Sequence, residues 1–289
     1  MSDQSTVLVT GATGQQGGAA VAALLDRGHK VVGLTRNPDS EGAKRLADRG
    51  VTVVAGDFTD PDSLVRAATG VDTVYAMTTP FEAGIDAEIQ QGLALANAAK
   101  AAGVGHLIFG SVASADRDTG IPHFDSKFQV EKHLASIGLA HSIVAPVYFM
   151  DNLLAPWSLP ALGEGKLAVA LPAERRLQQV AVSNIGAFTA TLAERREAVF
   201  GQRYDIAGDD LTGTEAAAIL SRVIGRDVRY EGFSADVLRP DSEDMALMFE
   251  WFDRVGYSAN TETLRRAFPE VPWLSFEDWT SKQDWSVLN

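Results

Sequence analysis

Short apolar runs alternate with amphipathic stretches along the first half of the chain. Val7 to Val9, Lys30 to Leu34, Val51 to Val54, Thr73 to Met77 and His106 to Ser111 are brief, rich in β-branched or aliphatic side chains and followed closely by Gly, Thr, Ser or Asp. That pattern predicts buried strands. Between them, Ala19 to Leu25, Pro61 to Ala68, about Asp86 to Ala102 and the stretch continuing through Leu134 carry apolar residues at helical spacing. Strand and helix in strict alternation predict an α/β fold, a Rossmann-type, doubly wound parallel sheet.

The second half has shorter elements. Residues 152–162 read as a helix broken at Pro156, and Gln178 to Val182 as a strand entering a helix at 183–186. Tyr204 to Ala207 and Asp227 to Glu231 read as strands, Thr212 as the cap of a helix, and Asp241 to Tyr257 as an amphipathic helix. The expected organisation is a first domain over 1–155 and a smaller, intimately packed α/β lobe over 156–289. Segments near 178–186 and 202–208 are expected to return to the first domain. Met248 and Phe252 fit a core-facing stripe better than a lid over a ligand. Residues 38–42 and 115–120 are the expected mobile loops.

The first strand runs into Gly11, Gly14 and Gly17, and these open the first helix. Strand, glycine turn and helix in that order form a dinucleotide-binding unit. Gly11 suits the tight turn, Gly14 a close approach of backbone to a pyrophosphate, and Gly17 close helix packing. The expected pyrophosphate cradle is Gly11, Thr13, Gly14, Gln15, Gln16 and Gly17, with the anion on the helix N-terminus.

The second strand ends at Thr35-Arg36-Asn37. A carboxylate there would bond both ribose hydroxyls of NAD, whereas a cation suits a 2′-phosphate. Arg36 with Asn37 therefore favours NADP(H), with NAD(H) the alternative. Ligands of such sheets sit beyond the carboxyl ends of the strands, which places Asp57 and Phe58 near the adenine and Thr78, Thr79 and Pro80 near the nicotinamide.

Composition narrows the class further. The 289 residues are 46% hydrophobic and contain no cysteine, which excludes disulfides, thiolate metal sites and cysteine nucleophiles. The net charge of −13 argues against nonspecific nucleic-acid binding. Histidines 29, 106, 123, 133 and 141 lack metal-ligand spacing, so no metal site is expected. Met1 to Gln4 carries no basic leader and no apolar run reaches a membrane span, so a cytoplasmic protein without a membrane partner is expected.

With its glycine turn, Gly56-Asp57-Phe58 followed by Asp60 to Leu64, Pro146 to Leu154, Gly201 to Gly208 and the helix opening His123-Phe124-Asp125-Ser126-Lys127, the chain resembles the NmrA-like branch of the atypical short-chain dehydrogenase/reductases. The resemblance runs from the glycine turn to the C-terminus. In the wider superfamily a Tyr-x-x-x-Lys pair stands at this helix. Here the tyrosine slot holds His123, and the resemblance implies that Lys127 binds the nicotinamide ribose. His123 is a candidate catalytic or substrate residue, although a neutral imidazole beside an ammonium is a weak proton source. Tyr148 and Phe149 are candidate cofactor contacts, and Tyr148, Asn152 and Trp157 candidate substrate contacts.

The resemblance implies an oxidoreductase passing hydride from NAD(P)H to a small planar quinone, enone or aromatic carbonyl, aromatic polyketide tailoring included. The alternative it also implies is a non-enzymatic NADP(H) sensor acting through a protein partner. A homodimer fits either reading.

Overall fold

A computed structural model describes residues 4–288. Met1 to Asp3, which belong to the segment read above for a leader, and Asn289 lie outside the described residues. The chain divides into two compact units: the first takes the chain up to Asp118, Pro122–Ala145 and Ile185–Tyr204, and the second takes Thr119–Ile121, Pro146–Asn184 and the chain from Asp205 onward.

The elements begin β1 (Thr6–Val9), α1 (Gln15–Asp26), β2 (Lys30–Thr35), α2 (Glu41–Asp48), β3 (Thr52–Ala55), α3 (Pro61–Ala68) and β4 (Thr73–Met77). They continue with α4 (Pro80–Ala83), α5 (Ile85–Ala101), β5 (His106–Gly110), α6 (Pro122–Ile137) and β6 (His141–Pro146). Thereafter come β7 (Tyr148–Phe149), α7 (Leu159–Gly163), β8 (Lys166–Val169), β9 (Arg176–Val180), α8 (Val182–Arg195) and β10 (Arg203–Ile206). The last are β11 (Asp209–Thr212), α9 (Gly213–Ile224), β12 (Arg229–Gly232), α10 (Glu243–Arg254), α11 (Thr261–Ala267) and α12 (Phe276–Thr280).

A seven-stranded parallel sheet has the order β10-β6-β5-β4-β1-β2-β3. The direction of winding reverses at β1, which pairs with β2 on one side and β4 on the other. A crevice outside the strand ends at such a reversal is where open α/β sheets hold their ligands. Thr10 pins this point: its hydroxyl donates to the Met77 carbonyl at 2.9 Å and accepts from the Met77 amide at 2.8 Å. Val7, Leu8 and Val9 have no exposed surface, as a central strand covered on both faces requires.

One core of the first unit gathers Leu64 and Ala68 of α3, Leu95 and Ala99 of α5 and Leu134 of α6 over Val74, Ala76, Leu107 and Phe109 of the sheet. The close approach of α5 to α6 depends on Gly92, where an added Cβ would lie 2.4 Å from Val130.

Element boundaries mostly fall within a residue or two of the pattern. Among the departures, Glu41 and Gly42 belong not to a loop but to the first turn of α2, capped by the Ser40 hydroxyl accepting from the Ala43 amide. Ala115–Arg117 likewise forms a 3-10 turn rather than irregular chain.

In the second unit, β11 pairs antiparallel and β7 parallel with β9, and β12 pairs parallel with β8. Its core includes Met150, Leu162, Leu167, Ala217, Leu220, Phe276 and Trp279. Helix α9 opens on a capping box, the Thr212 hydroxyl accepting from the Glu215 amide while the Glu215 carboxylate accepts from the Thr212 amide. Phe252 is fully buried among Tyr148, Phe249, Trp251 and Tyr257. Phe252 is thus core, as the stripe reading expected.

Candidate functional site

The glycine turn takes the form its spacing implies. Gly11 has φ +60°, a left-handed conformation that a side chain disfavours, and an added Cβ would meet Met77 at 2.4 Å. The Gly14 amide donates to the Gly11 carbonyl at 2.9 Å, closing the turn, and Gly14 is the N-cap of α1 with no side-chain cap. First-turn amides of α1 are therefore left for an external acceptor. At Gly17 a Cβ would lie 2.2 Å from the Gly11 carbonyl oxygen, so this glycine lets the helix approach the turn. Among the side chains of the cradle, Thr13 and Gln15 are exposed, whereas the Gln16 Oε1 is buried without a hydrogen-bond partner.

At the ends of β2 and β3, Arg36 is exposed and its guanidinium donates to the Glu82 carboxylate at 3.2 Å. Asn37 is occupied locally, its Oδ1 accepting from the Asp39 amide at 3.0 Å. The Asp57 carboxylate accepts from the Thr59 amide and hydroxyl at 2.8 and 2.7 Å. These bonds hold its pKa below the ordinary carboxylate value, with Arg36 adding a smaller electrostatic pull. Phe58 is partly buried against the core of the first unit.

The carboxyl end of β4 meets α5 and α6 in a buried polar cluster. The Lys127 ammonium donates to the Thr78 carbonyl at 2.6 Å and to Thr78 Oγ1 at 3.2 Å, and pairs with Glu88 Oε1 at 2.8 Å. Glu88 has no exposed surface. Its two oxygens also accept from the Thr78 hydroxyl at 3.2 Å and from the Ser126 hydroxyl. Burial pushes the Lys127 ammonium below its ordinary pKa, opposed chiefly by the Glu88 charge and hydrogen bond. Lys127 also stands 5.5 Å from the Phe109 ring centre.

Beside this cluster, Glu131 accepts from Ser111 and pairs with Arg203 at 3.0 Å. Burial raises its pKa against the pull of Arg203. His123 is buried in the first turn of α6, edge-on to Phe124 at 4.8 Å and tilted against Phe81 at 6.0 Å. Thr79 caps α4, accepting from the Phe81 amide, and Pro80 begins that helix.

Thr78 and Lys127 are thus brought into contact, and Arg36 stands near Asp57. Glu88 and Glu131 were missed. A signal for Glu88 existed: it shares the spacing 88, 92, 95, 96, 99 with the buried face of α5, and a carboxylate in an apolar stripe calls for a buried partner.

In the second unit, Tyr148 borders a small, mainly apolar cavity of about 50 Å³ with Leu162, Leu167, Leu211, Tyr230 and Phe276. Burial raises the Tyr148 phenol above its ordinary pKa, opposed by a hydrogen bond with Asn152. Phe149 is half-buried beside it on β7. Trp157 is 74% exposed and does not line that cavity. No cluster able to hold a metal ion occurs among the described residues, and no described helix is long and apolar enough to cross a membrane.

The NmrA-like family matches residues 3–280. A NAD(P)H azoreductase of Xenophilus azovorans is 32% identical over 225 residues, covering 78% of this chain and 76% of its own. The (4-alkanoyl-5-oxo-2,5-dihydrofuran-3-yl)methyl phosphate reductase of Streptomyces griseus subsp. griseus is 30% identical over 294 residues, 96% of this chain and 97% of its own. An NADPH-dependent quinone oxidoreductase of Escherichia coli, solved with NADPH, superposes with a TM-score of 0.80 at 26% identity, covering 95% of this chain and 98% of its own.

Proposed function

The chain belongs to the NmrA-like family, and from that membership we propose that it is an NAD(P)H-dependent reductase delivering hydride to a small conjugated acceptor, a quinone or an enone. The observation that carries the reading is the cradle at the start of α1: turn, uncapped helix N-terminus and the bare Cα of Gly17 together fit a dinucleotide pyrophosphate. The relatives named above support it, since one is by name a reductase of an alkanoyl-substituted unsaturated furanone and another a quinone oxidoreductase.

Gly11, Gly14 and Gly17 would receive the pyrophosphate on backbone amides of the turn and first helical turn, with Thr13, Gln15 and Gln16 around it. Arg36 would bind the 2′-phosphate, favouring NADP(H) over NAD(H). Asp57 and Phe58 would border the adenine, and Lys127 at the end of β4 the nicotinamide ribose. Bound NAD(P)H supplies the hydride, two electrons with one hydrogen nucleus. The acceptor takes hydride at one end of its conjugated system and a proton from solvent at the other, giving a hydroquinone or a saturated ketone. An acceptor of this kind needs no tyrosine acid, because its reduced oxygen is stabilised by conjugation; what remains for the protein is alignment of donor and acceptor. His123, at the start of α6, is assigned to substrate contact.

Product analysis tests the reading. Incubation with NADPH and a simple quinone, and separately with a cyclic enone, should yield reduced product and oxidised cofactor in equal amounts. Tight cofactor binding with no product from either acceptor contradicts it and leaves the sensor role.

A further inference from the structure

Lys127 is the one residue of the wider superfamily's tyrosine–lysine pair that this chain retains, and here it is not free to choose its direction. A lysine carries a flexible four-carbon stem, so a defined ammonium position requires partners that outweigh the lost rotamer freedom. A buried ammonium also needs a counter-charge. Glu131, one helical turn along α6, is engaged by Ser111 and Arg203. Glu88 from α5 is the carboxylate at 2.8 Å from Nζ, and it is itself fixed from two sides by the hydroxyls of Thr78 and Ser126. With the Thr78 carbonyl as the other close acceptor, two ammonium hydrogens are committed, and the third faces Thr78 Oγ1 at the longer distance of 3.2 Å. That third hydrogen is the one a ribose hydroxyl can claim.

We propose that Glu88 is the positioning residue of Lys127: anchored on α5 by hydroxyl donors, it fixes the ammonium at the carboxyl end of β4, with its longest hydrogen bond, the one to Thr78 Oγ1, exchangeable for a cofactor hydroxyl. The assignment to the cofactor rests on the reductase reading above; the anchoring of Lys127 does not. Glu88 touches neither acceptor nor cofactor in this scheme and acts through Lys127.

Two measurements on Glu88→Gln, a near-isosteric change that removes the charge, separate these levels. The first is acetylation of Lys127 by acetic anhydride, followed by peptide mass spectrometry without any cofactor. Loss of the counter-charge favours the neutral amine, so labelling should rise about tenfold, the effect of one charged hydrogen bond. Labelling equal to that of the parent chain overturns the proposal, whatever the protein does with NADPH. The second is NADPH binding and quinone reduction. Glu88→Gln should raise the NADPH Kd about tenfold and lower kcat while leaving the quinone KM unchanged.

Glu88→Asp, which keeps the charge but withdraws it by one carbon, should fall between the two in labelling and in Kd. It also serves as the test if Glu88→Gln fails to fold. Parent-like values in Glu88→Asp together with Glu88→Gln, or a quinone KM that rises alone, would assign Glu88 to packing or to the acceptor and sink the proposal. A parent chain that binds no NADPH would defeat the reductase reading alone, because the labelling result stands independently.

Discussion

The guanidinium of Arg36 is held by the carboxylate of Glu82, 3.2 Å away across the gap between the end of β2 and helix α4. Both side chains are exposed, so the pair is readily exchanged: a 2′-phosphate offering two negative charges and bidentate geometry would displace a single carboxylate in the proposed site.

Arg36→Ala should therefore weaken NADPH binding about tenfold, the worth of a charge-assisted hydrogen bond, and leave NADH nearly unchanged. Glu82→Gln should tighten NADPH by no more than about fivefold, because exposed ion pairs are worth little, again without effect on NADH. Titration of both cofactors by fluorescence checks each. Equal losses for the two cofactors in Arg36→Ala would remove the 2′-phosphate assignment.

Gly17 and Gly18 provide a matched pair for the cradle. A Cβ at Gly17 would lie 2.2 Å from backbone, whereas at Gly18 the nearest atom is 3.6 Å away, an ordinary contact. Gly17→Ala should cost about 1–3 kcal/mol of stability through forced displacement of the turn, and abolish tight NADPH binding. Gly18→Ala should be neutral or slightly stabilising, since alanine favours helix. Urea midpoints and NADPH titration decide between them; equal behaviour of the two variants contradicts the close-packed turn.

His106 carries an acid liability. It has no exposed surface, its Nε2 bonds Ser142 at 2.9 Å, and burial together with the Arg196 charge pushes its pKa down to about 4. Because the folded state resists protonation, the unfolded chain binds more protons between that value and the ordinary 6.5, and stability falls as pH drops through this window. The full loss is about 3 kcal/mol. It is absent above pH 6.5 and complete below about 4. His106→Gln should show a shallower decline of urea midpoint with acidification than the parent chain. Parallel declines would show that other groups control acid sensitivity.

The first half of the fold was readable because its information is local. Gly11, Gly14 and Gly17 state the turn and the helix start within seven residues, and β1, β2 and β4 announce themselves by short, mostly buried apolar runs. Lys127 was readable from its own helix, whereas the stripe that marks Glu88 as buried does not say which residue it pairs with. Glu88 lies 38 positions earlier in the sequence from Ser126 and falls in the first turn of α5, where a carboxylate is ordinarily explained by the helix dipole. Helix α2 escaped although its eight residues are amphipathic, because the glycine at its second position and its cap, Ser40, made its start look like a loop. In the second unit the two residues of β7 and the four of β8 and β11 are too short for any period to register; pairing with distant partners, not propensity, makes them strands.

Rapid mixing of the NADPH-loaded protein with a quinone, followed at the nicotinamide absorbance band, tests the central claim most directly. The account predicts a single-turnover loss of the band whose rate rises with quinone concentration and then saturates, and which slows when the transferred hydrogen is deuterium. A band that persists at every quinone and enone concentration, with the cofactor still bound, would contradict it.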